Sequence, residues 1–258
     1  MAKLAAMAGA AAGVGLVAGG CMYAAMWPTS QIFGRTLIAG DDPDELALTF
    51  DDGPNDAATP QLLDVLARHG VRATFFMVGD SVRRQPELAR RVLAEGHVVG
   101  NHTMHHPRLA FQSAGRIRAE LRDASAAIED ATGVAVRLFR PPFGARRPAV
   151  LRIARELGLV PVMWNADGRD WLPHGAARTL ELLEQGIAAN RRRGRGSNLL
   201  LHDGSHLGMS ADRMETVAAV DRLLRVRTGG AMRFVTVDSL EPAAGAGDAG
   251  GIGAVGGT

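Results

Sequence analysis

The stretch Glu45-Leu46-Ala47-Leu48-Thr49-Phe50-Asp51-Asp52-Gly53-Pro54 decides the reading of the fold. Residues 45–50 form a short, mostly apolar run of strand length, and a Gly-Pro turn closes it immediately after two carboxylates. Adjacent carboxylates at a strand end repel each other unless a cation or a proton separates their roles. Taken alone, the Asp-Asp-Gly-Pro segment reads equally well as an Asp-capped turn into the next helix.

Moving outward, residues 60–69 place Leu62, Leu63, Val65 and Leu66 at helical spacing, and Gly70 stands where helices commonly end. The same alternation continues along the chain. Strands are predicted over 73–78, 98–101, 136–139, 160–164, 197–201 and 232–237, and helices over 86–94, 117–131, 148–157, 177–190 and 211–226. Seven or eight strand units separated by helices indicate an α/β fold with a parallel sheet. A closed or nearly closed β/α barrel fits better than an open sheet, because each polar cluster falls just after a strand, where barrel active sites gather.

The ends of the chain differ from this middle. Residues 4–27 carry no charge and are rich in Ala, Gly, Val, Leu and Met, with Lys3 before them. A helix of that length spans the hydrocarbon core of a bilayer. The expectation for 1–28 is an uncleaved membrane anchor first, a lipoprotein signal at Cys21 second and a cleaved signal peptide third, each placing the domain outside the cytoplasm. A buried Ala/Gly-rich core helix is the competing reading. Residues 29–44 are expected to be a linker, 45–240 the folded domain, and 241–258 a disordered Gly/Ala-rich tail.

Composition narrows the partners. Hydrophobic residues make up 47% and charged residues 22% of the 258, enough to bury one sizeable core. Lys3 is the sole lysine, and the run Arg191, Arg192, Arg193 and Arg195 reads as a solvated helix end, so no nucleic-acid partner is expected. With Cys21 as the single cysteine, an intramolecular disulfide and a Cys-based zinc site are excluded. No obligate protein partner is indicated.

Four further clusters carry chemistry. In His102-Thr103-Met104-His105-His106, the four-residue spacing predicts that His102 and His106 share one face of a helical turn, although His105 competes for that position. Two imidazoles and one carboxylate with open positions suit a catalytic divalent ion, zinc foremost and cobalt or another ion as alternatives. Phe139-Arg140-Pro141-Pro142-Phe143-Gly144 aims an arginine from a proline-stiffened loop, where it can hold a carboxylate ionised. Trp164 to Trp171 brings Asp167 and Asp170 together with two large aromatics suited to stacking on sugar rings. Leu199-Leu200-Leu201-His202-Asp203 ends an apolar strand with a histidine able to act as a general acid.

Taken in order, these five clusters resemble the Thr-Phe-Asp-Asp-Gly-Pro, His-Ser/Thr-x-x-His, Arg-x-Pro-Phe/Tyr, Asp-x-x-Asp-Trp and Leu-x-His motifs of the polysaccharide deacetylases, the NodB-homology domains of carbohydrate esterase family 4. The resemblance runs from Leu46 to Val237. It implies a distorted (β/α)7 barrel that removes acetyl groups from N-acetylated sugars. It implies Asp51 as general base, Asp52, His102 and His106 as metal ligands, Arg140 as the orienter of Asp51, and the Phe143 N–H as an oxyanion donor. His202 would protonate the leaving amine with Asp170 tuning it, Trp171 and Leu200 would line the acetyl pocket, and His105 would be the spare histidine. Met104 and Phe143 depart from the aromatic and the tyrosine common in the family, and both are expected to alter how sugar rings pack. His206 reads equally as a pocket or a loop residue.

The expected function is metal-dependent hydrolysis of N-acetyl groups, with O-acetyl groups as a variant, on an extracytoplasmic glycan such as peptidoglycan. The alternatives are a hydrolase of another C–N or acyl bond on a small-molecule or lipid-linked sugar, and a glycan-binding protein without turnover.

Overall fold

The computed structural model describes residues 19–205 and 212–240. The expectations for 1–18, for the tail after residue 240 and for His206 lie outside the described residues. The first strand, β1 (Glu45–Asp51), is buried from Leu46 onward and is the centre of the sheet. It is followed by α1 (Ala58–His69), β2 (Thr74–Met77), α2 (Gly79–Arg84), α3 (Pro86–Ala94), β3 (Val98–Asn101), α4 (Ala114–Thr132) and β4 (Leu138–Phe139). Then come α5 (Pro148–Glu156), β5 (Val160–Pro161), β6 (Ala166–Asp167), α6 (Gly175–Arg192), β7 (Ser197–His202), α7 (Met214–Arg227) and β8 (Arg233–Val235).

All pairings are parallel, in the order β5-β4-β3-β2-β1-β7-β6, with β8 pairing the start of β1. The sheet curls so that β5 and β6 are its two ends, giving the distorted β/α barrel of the (β/α)7 type. Leu37 forms a bridge with Val162 beside β5, and Met163 donates its N–H to the Leu37 carbonyl at 2.7 Å.

Alternation along β1 explains how one strand serves both core and site. Leu46, Leu48 and Phe50 join the large cluster shared with the helices, and burying each contributes about 1.5–3 kcal/mol over leaving it in water. Ala47 points the other way, into a plug with Phe76, Leu138, Val162 and Val237 that fills the barrel floor. Thr49 and Asp51, on that same inward face, carry polarity up toward the mouth. The register sets Asp51 opposite His202 on one side and Phe76 on the other.

Several elements depart from their sequence-based bounds. The helix expected from residue 60 begins at Ala58, where the Asn55 side chain accepts the N–H groups of Ala57 and Ala58. The six-residue α2 is too short to display a period and was not foreseen. The strand expected over 160–164 is only Val160–Pro161, and the separate Ala166–Asp167 strand pairs β7 instead. The helix expected from residue 211 begins at Met214. Arg191 and Arg195, in the basic run, pair with Asp44 at 2.8 Å and Asp41 at 3.1 Å on the surface.

Candidate active site

The five polar clusters meet at the carboxyl ends of the strands. A backbone signature marks them. Among the described residues, the non-glycine positions with positive φ are Asp52 (73°), Thr103 (69°), His106 (57°), Phe143 (58°) and Arg169 (48°), and all lie in these loops. Each such conformation costs on the order of 1–3 kcal/mol and persists only where the surroundings enforce it.

Residues 102–106 are not a helical turn. After β3 the chain bends sharply, with Thr103 and His106 both left-handed. The bend is held by the Asn101 side chain, which accepts the Thr103 N–H at 2.8 Å, and by the Thr103 hydroxyl, which accepts the His106 N–H at 3.0 Å. The bend nevertheless brings the His102 and His106 rings to one side, 5.0 Å apart. Asp52 Oδ1 lies 3.4 Å from His102 Nε2 and 3.0 Å from His106 Nε2, and all three side chains are buried. Their donor atoms fall within 4.8 Å of one another, a group able to hold a metal ion. The Nδ1 of His102 is 2.8 Å from the Arg140 carbonyl, so Nδ1 carries the proton and Nε2 presents its lone pair to the other two donors. Two imidazole nitrogens and a carboxylate oxygen converging in this way fit a divalent ion of the zinc type.

His105 turns away. Its N–H and Nδ1 both reach the buried carboxylate of Glu120, at 2.8 and 2.9 Å, and Arg116 approaches the same carboxylate at 2.6 Å. Met104 is also directed inward, packing on Ala124 and Ala127 of α4, so it is a core residue and has no route to sugar packing.

Asp51 faces both the metal group and Arg140. Its Oδ2 is 3.7 Å from His102 Nε2, and its Oδ1 accepts from Arg140 Nη1 at 2.8 Å. Arg140 is fully buried. It also donates to the Thr49 hydroxyl at 2.7 Å and lies over the Phe76 ring at 4.2 Å. Burial pulls the Arg140 pKa down, and the charge and hydrogen bond of Asp51 oppose that pull.

On the other side of β1, His202 is fixed by Asp170. The carboxylate takes His202 Nδ1–H on one oxygen and the His202 backbone N–H on the other, both at 2.8 Å, with the Thr216 hydroxyl at 2.7 Å. Burial by itself would lower the His202 pKa. The charge and hydrogen bond of Asp170, with Asp52 and Asp51 adding, overcome this and push it up to about 9. For Asp170, burial acts upward but His202 dominates and holds the carboxyl below its usual range.

Trp171 stands at the rim, half exposed, edge-on to the His202 ring at 5.3 Å. Leu200 and Trp164 lie beneath, in a buried cluster with Met163, so Trp164 belongs to packing and only Trp171 to the rim. The Phe143 ring meets His106 edge to face at 4.7 Å, and Arg108 covers its other side at 4.1 Å.

Supporting groups to which the sequence motifs assign no role are Thr49, Asn101, Glu120, Asn198, Thr216 and Asp203. Asp203 accepts the Thr59 hydroxyl at 2.5 Å and donates its N–H to the Asp51 carbonyl at 3.2 Å. Burial, with Asp52 and Asp51 nearby, pushes its carboxyl up to about 7 against the Thr59 hydrogen bond. Its position directly after His202 was the one available signal.

Comparisons with known proteins point to one family. The polysaccharide deacetylase family model matches residues 39–162. The chain is 39% identical over 197 residues to a peptidoglycan-N-acetylglucosamine deacetylase of Bacillus cereus, covering 76% of this chain and 87% of the relative. It is 45% identical over 167 residues to a chitooligosaccharide deacetylase of Rhizobium leguminosarum bv. trifolii, covering 64% and 74% of the two chains. A crystal structure of a peptidoglycan N-acetylglucosamine deacetylase superposes with a TM-score of 0.70 at 32% identity, over 79% of this chain and 91% of that one. The fold and site define a hydrolase of acetylated glycans. The chain belongs to the polysaccharide deacetylase family.

Proposed function

We propose that this enzyme removes N-acetyl groups from an N-acetylglucosamine-containing glycan outside the cytoplasm, with peptidoglycan first among substrates. One observation carries the reading: the Asp52, His102 and His106 donors converge beside a carboxylate held by Arg140 and a histidine held by Asp170. The relatives named above act on peptidoglycan and on chitooligosaccharides, which supports the substrate class. The uncharged stretch over 4–27 supports a tether that holds the domain where it meets the cell-envelope glycan. Among the described residues no helix is long and apolar enough to cross a membrane, and residues 1–18 are outside them.

Asp52, His102 and His106 would hold a divalent ion, zinc by the character of the donors. Bound there, such an ion supplies Lewis acidity, polarising the acetyl carbonyl and making a neighbouring water more acidic. Asp51, oriented by Arg140, accepts a proton from the attacking water. The N–H of Phe143 supports the oxyanion that forms on the acetyl carbonyl. His202 hands its proton from Nε2 to the departing nitrogen, since Asp170 occupies Nδ1. The C–N bond breaks, and acetate and the free amine leave. Trp171 and Leu200 shape the space for the acetyl methyl group.

The test is acetate release by the purified full chain from N-acetylglucosamine oligomers and from peptidoglycan. Release should stop on chelation, return with zinc, and fall by about 10²–10⁴-fold in Asp51→Asn. Acetate release that survives combined His102→Ala and His106→Ala substitution would sink the metal assignment.

A further inference from the structure

Arg146 is buried at 1% exposure, yet no carboxylate pairs with it among the described residues. Its guanidinium instead donates to main-chain carbonyls. Nη1 reaches Gly144 at 3.0 Å, and Nη2 reaches Trp27 at 2.7 Å, Ser30 at 2.8 Å and Pro28 at 3.4 Å. Its own N–H donates to the Ala25 carbonyl at 3.1 Å, and Ala24 beside it is buried. A buried charge costs several kcal/mol unless its donors are satisfied. Here three of the four carbonyls that satisfy the side chain come from the segment ahead of the barrel.

The loop that Arg146 closes is the one that touches the metal group most. Its first residue, Arg140, holds His102 through its carbonyl and Asp51 through its side chain. Its centre, Phe143, sits at φ 58° with its ring against His106. A left-handed phenylalanine needs external restraint, and the prolines at 141 and 142 restrain only one side of it. Arg146 supplies the other side.

We propose that Arg146 is a positioning residue that latches residues 25–30 to the loop after β4, and that this latch holds Phe143 against His106. The segment before the barrel is then a working part of the catalytic domain. A chain beginning at residue 31 retains the arginine but only the Gly144 carbonyl to receive its side-chain donors. Attachment to a bilayer anywhere before residue 25 leaves the latch whole. The inference rests on the metal-site reading above, but its consequences extend beyond activity.

The experiment compares the full chain with its Arg146→Met and Arg146→Lys variants. Hydrogen exchange followed by mass spectrometry reads residues 24–31 and 142–147, and competition with a chelating dye reads the affinity for Zn²⁺ alone. In Arg146→Met, exchange should accelerate at least tenfold in both segments, and Zn²⁺ affinity should fall about tenfold. Arg146→Lys keeps the charge without the planar fork and should fall between. It also serves as the test if the methionine variant does not fold. Wild-type protection of 24–31 in a variant whose 142–147 segment has loosened overturns the latch. Loosening of both segments with unchanged Zn²⁺ affinity and unchanged kcat overturns the positioning role. If the wild type binds Zn²⁺ but releases no acetate from any glycan, the deacetylase reading fails, while the exchange and affinity results still decide this one.

Discussion

At the scale of single residues, the two groups proposed to carry protons are separated by their partners. Asp51 has a guanidinium on one oxygen, and His202 has a carboxylate on Nδ1 that favours the protonated imidazole its proposed role as acid needs. Activity should therefore fall as pH rises through the His202 pKa, and Asp170→Asn should move that alkaline limb to lower pH. The same pair makes a stability prediction for the metal-free chain. The His202 pKa lies at about 9, above its unfolded value of about 6.5, so its contribution is fully present below about 6.5 and lost as pH rises through about 9. The depressed Asp170 contributes above its unfolded value of about 3.9 and loses that contribution as pH falls further. In urea melts, the deficit of Asp170→Asn should be widest near pH 6 and should shrink by pH 10 to the part carried by the hydrogen bonds from the His202 N–H and the Thr216 hydroxyl. A deficit that does not change with pH would show that the pair acts by packing alone.

At the scale of elements, strand ends are packed so closely that glycine becomes obligatory. A Cβ built on Gly204 would lie 2.2 Å from the Asp52 carbonyl oxygen, a backbone atom that cannot step aside without moving the ligand. Gly204→Ala should lower Zn²⁺ affinity at least tenfold and depress the melting temperature, with binding titration and thermal unfolding as the measurements. Which elements were legible follows from how they are stabilised. β1 and β7 are long and apolar, so their runs announce them. β4 and β5 were legible as the apolar runs 136–139 and 160–164, although each pairs over only two residues, whereas Ala166–Asp167 of β6 depends on its neighbour β7 and no local composition marks it. The spacing of His102 and His106 left His105 in competition and implied the wrong local shape. A bend tied by Asn101 and Thr103, rather than a helix, makes them converge. Supporting groups such as Glu120 and Arg146 were illegible because their partners lie far away in sequence or are main-chain carbonyls.

At the scale of the whole molecule, the metal group joins β1 to the loop after β3, while the loop after β4 touches both. An ion that binds only the folded chain stabilises it by about 2.7 kcal/mol at a hundredfold excess over its Kd. Zinc should therefore raise the melting temperature of the chelator-stripped wild type and leave His102→Ala unmoved. An equal rise in both would place the ion elsewhere. The register that sets Asp51 opposite His202 has a consequence in time. During synthesis the carboxylates of β1 emerge early and the histidine of β7 comes near the end, so a growing chain carries half of its chemistry with no proton to deliver. With His202 as the proposed acid, turnover waits until the last large strand has slotted beside the first.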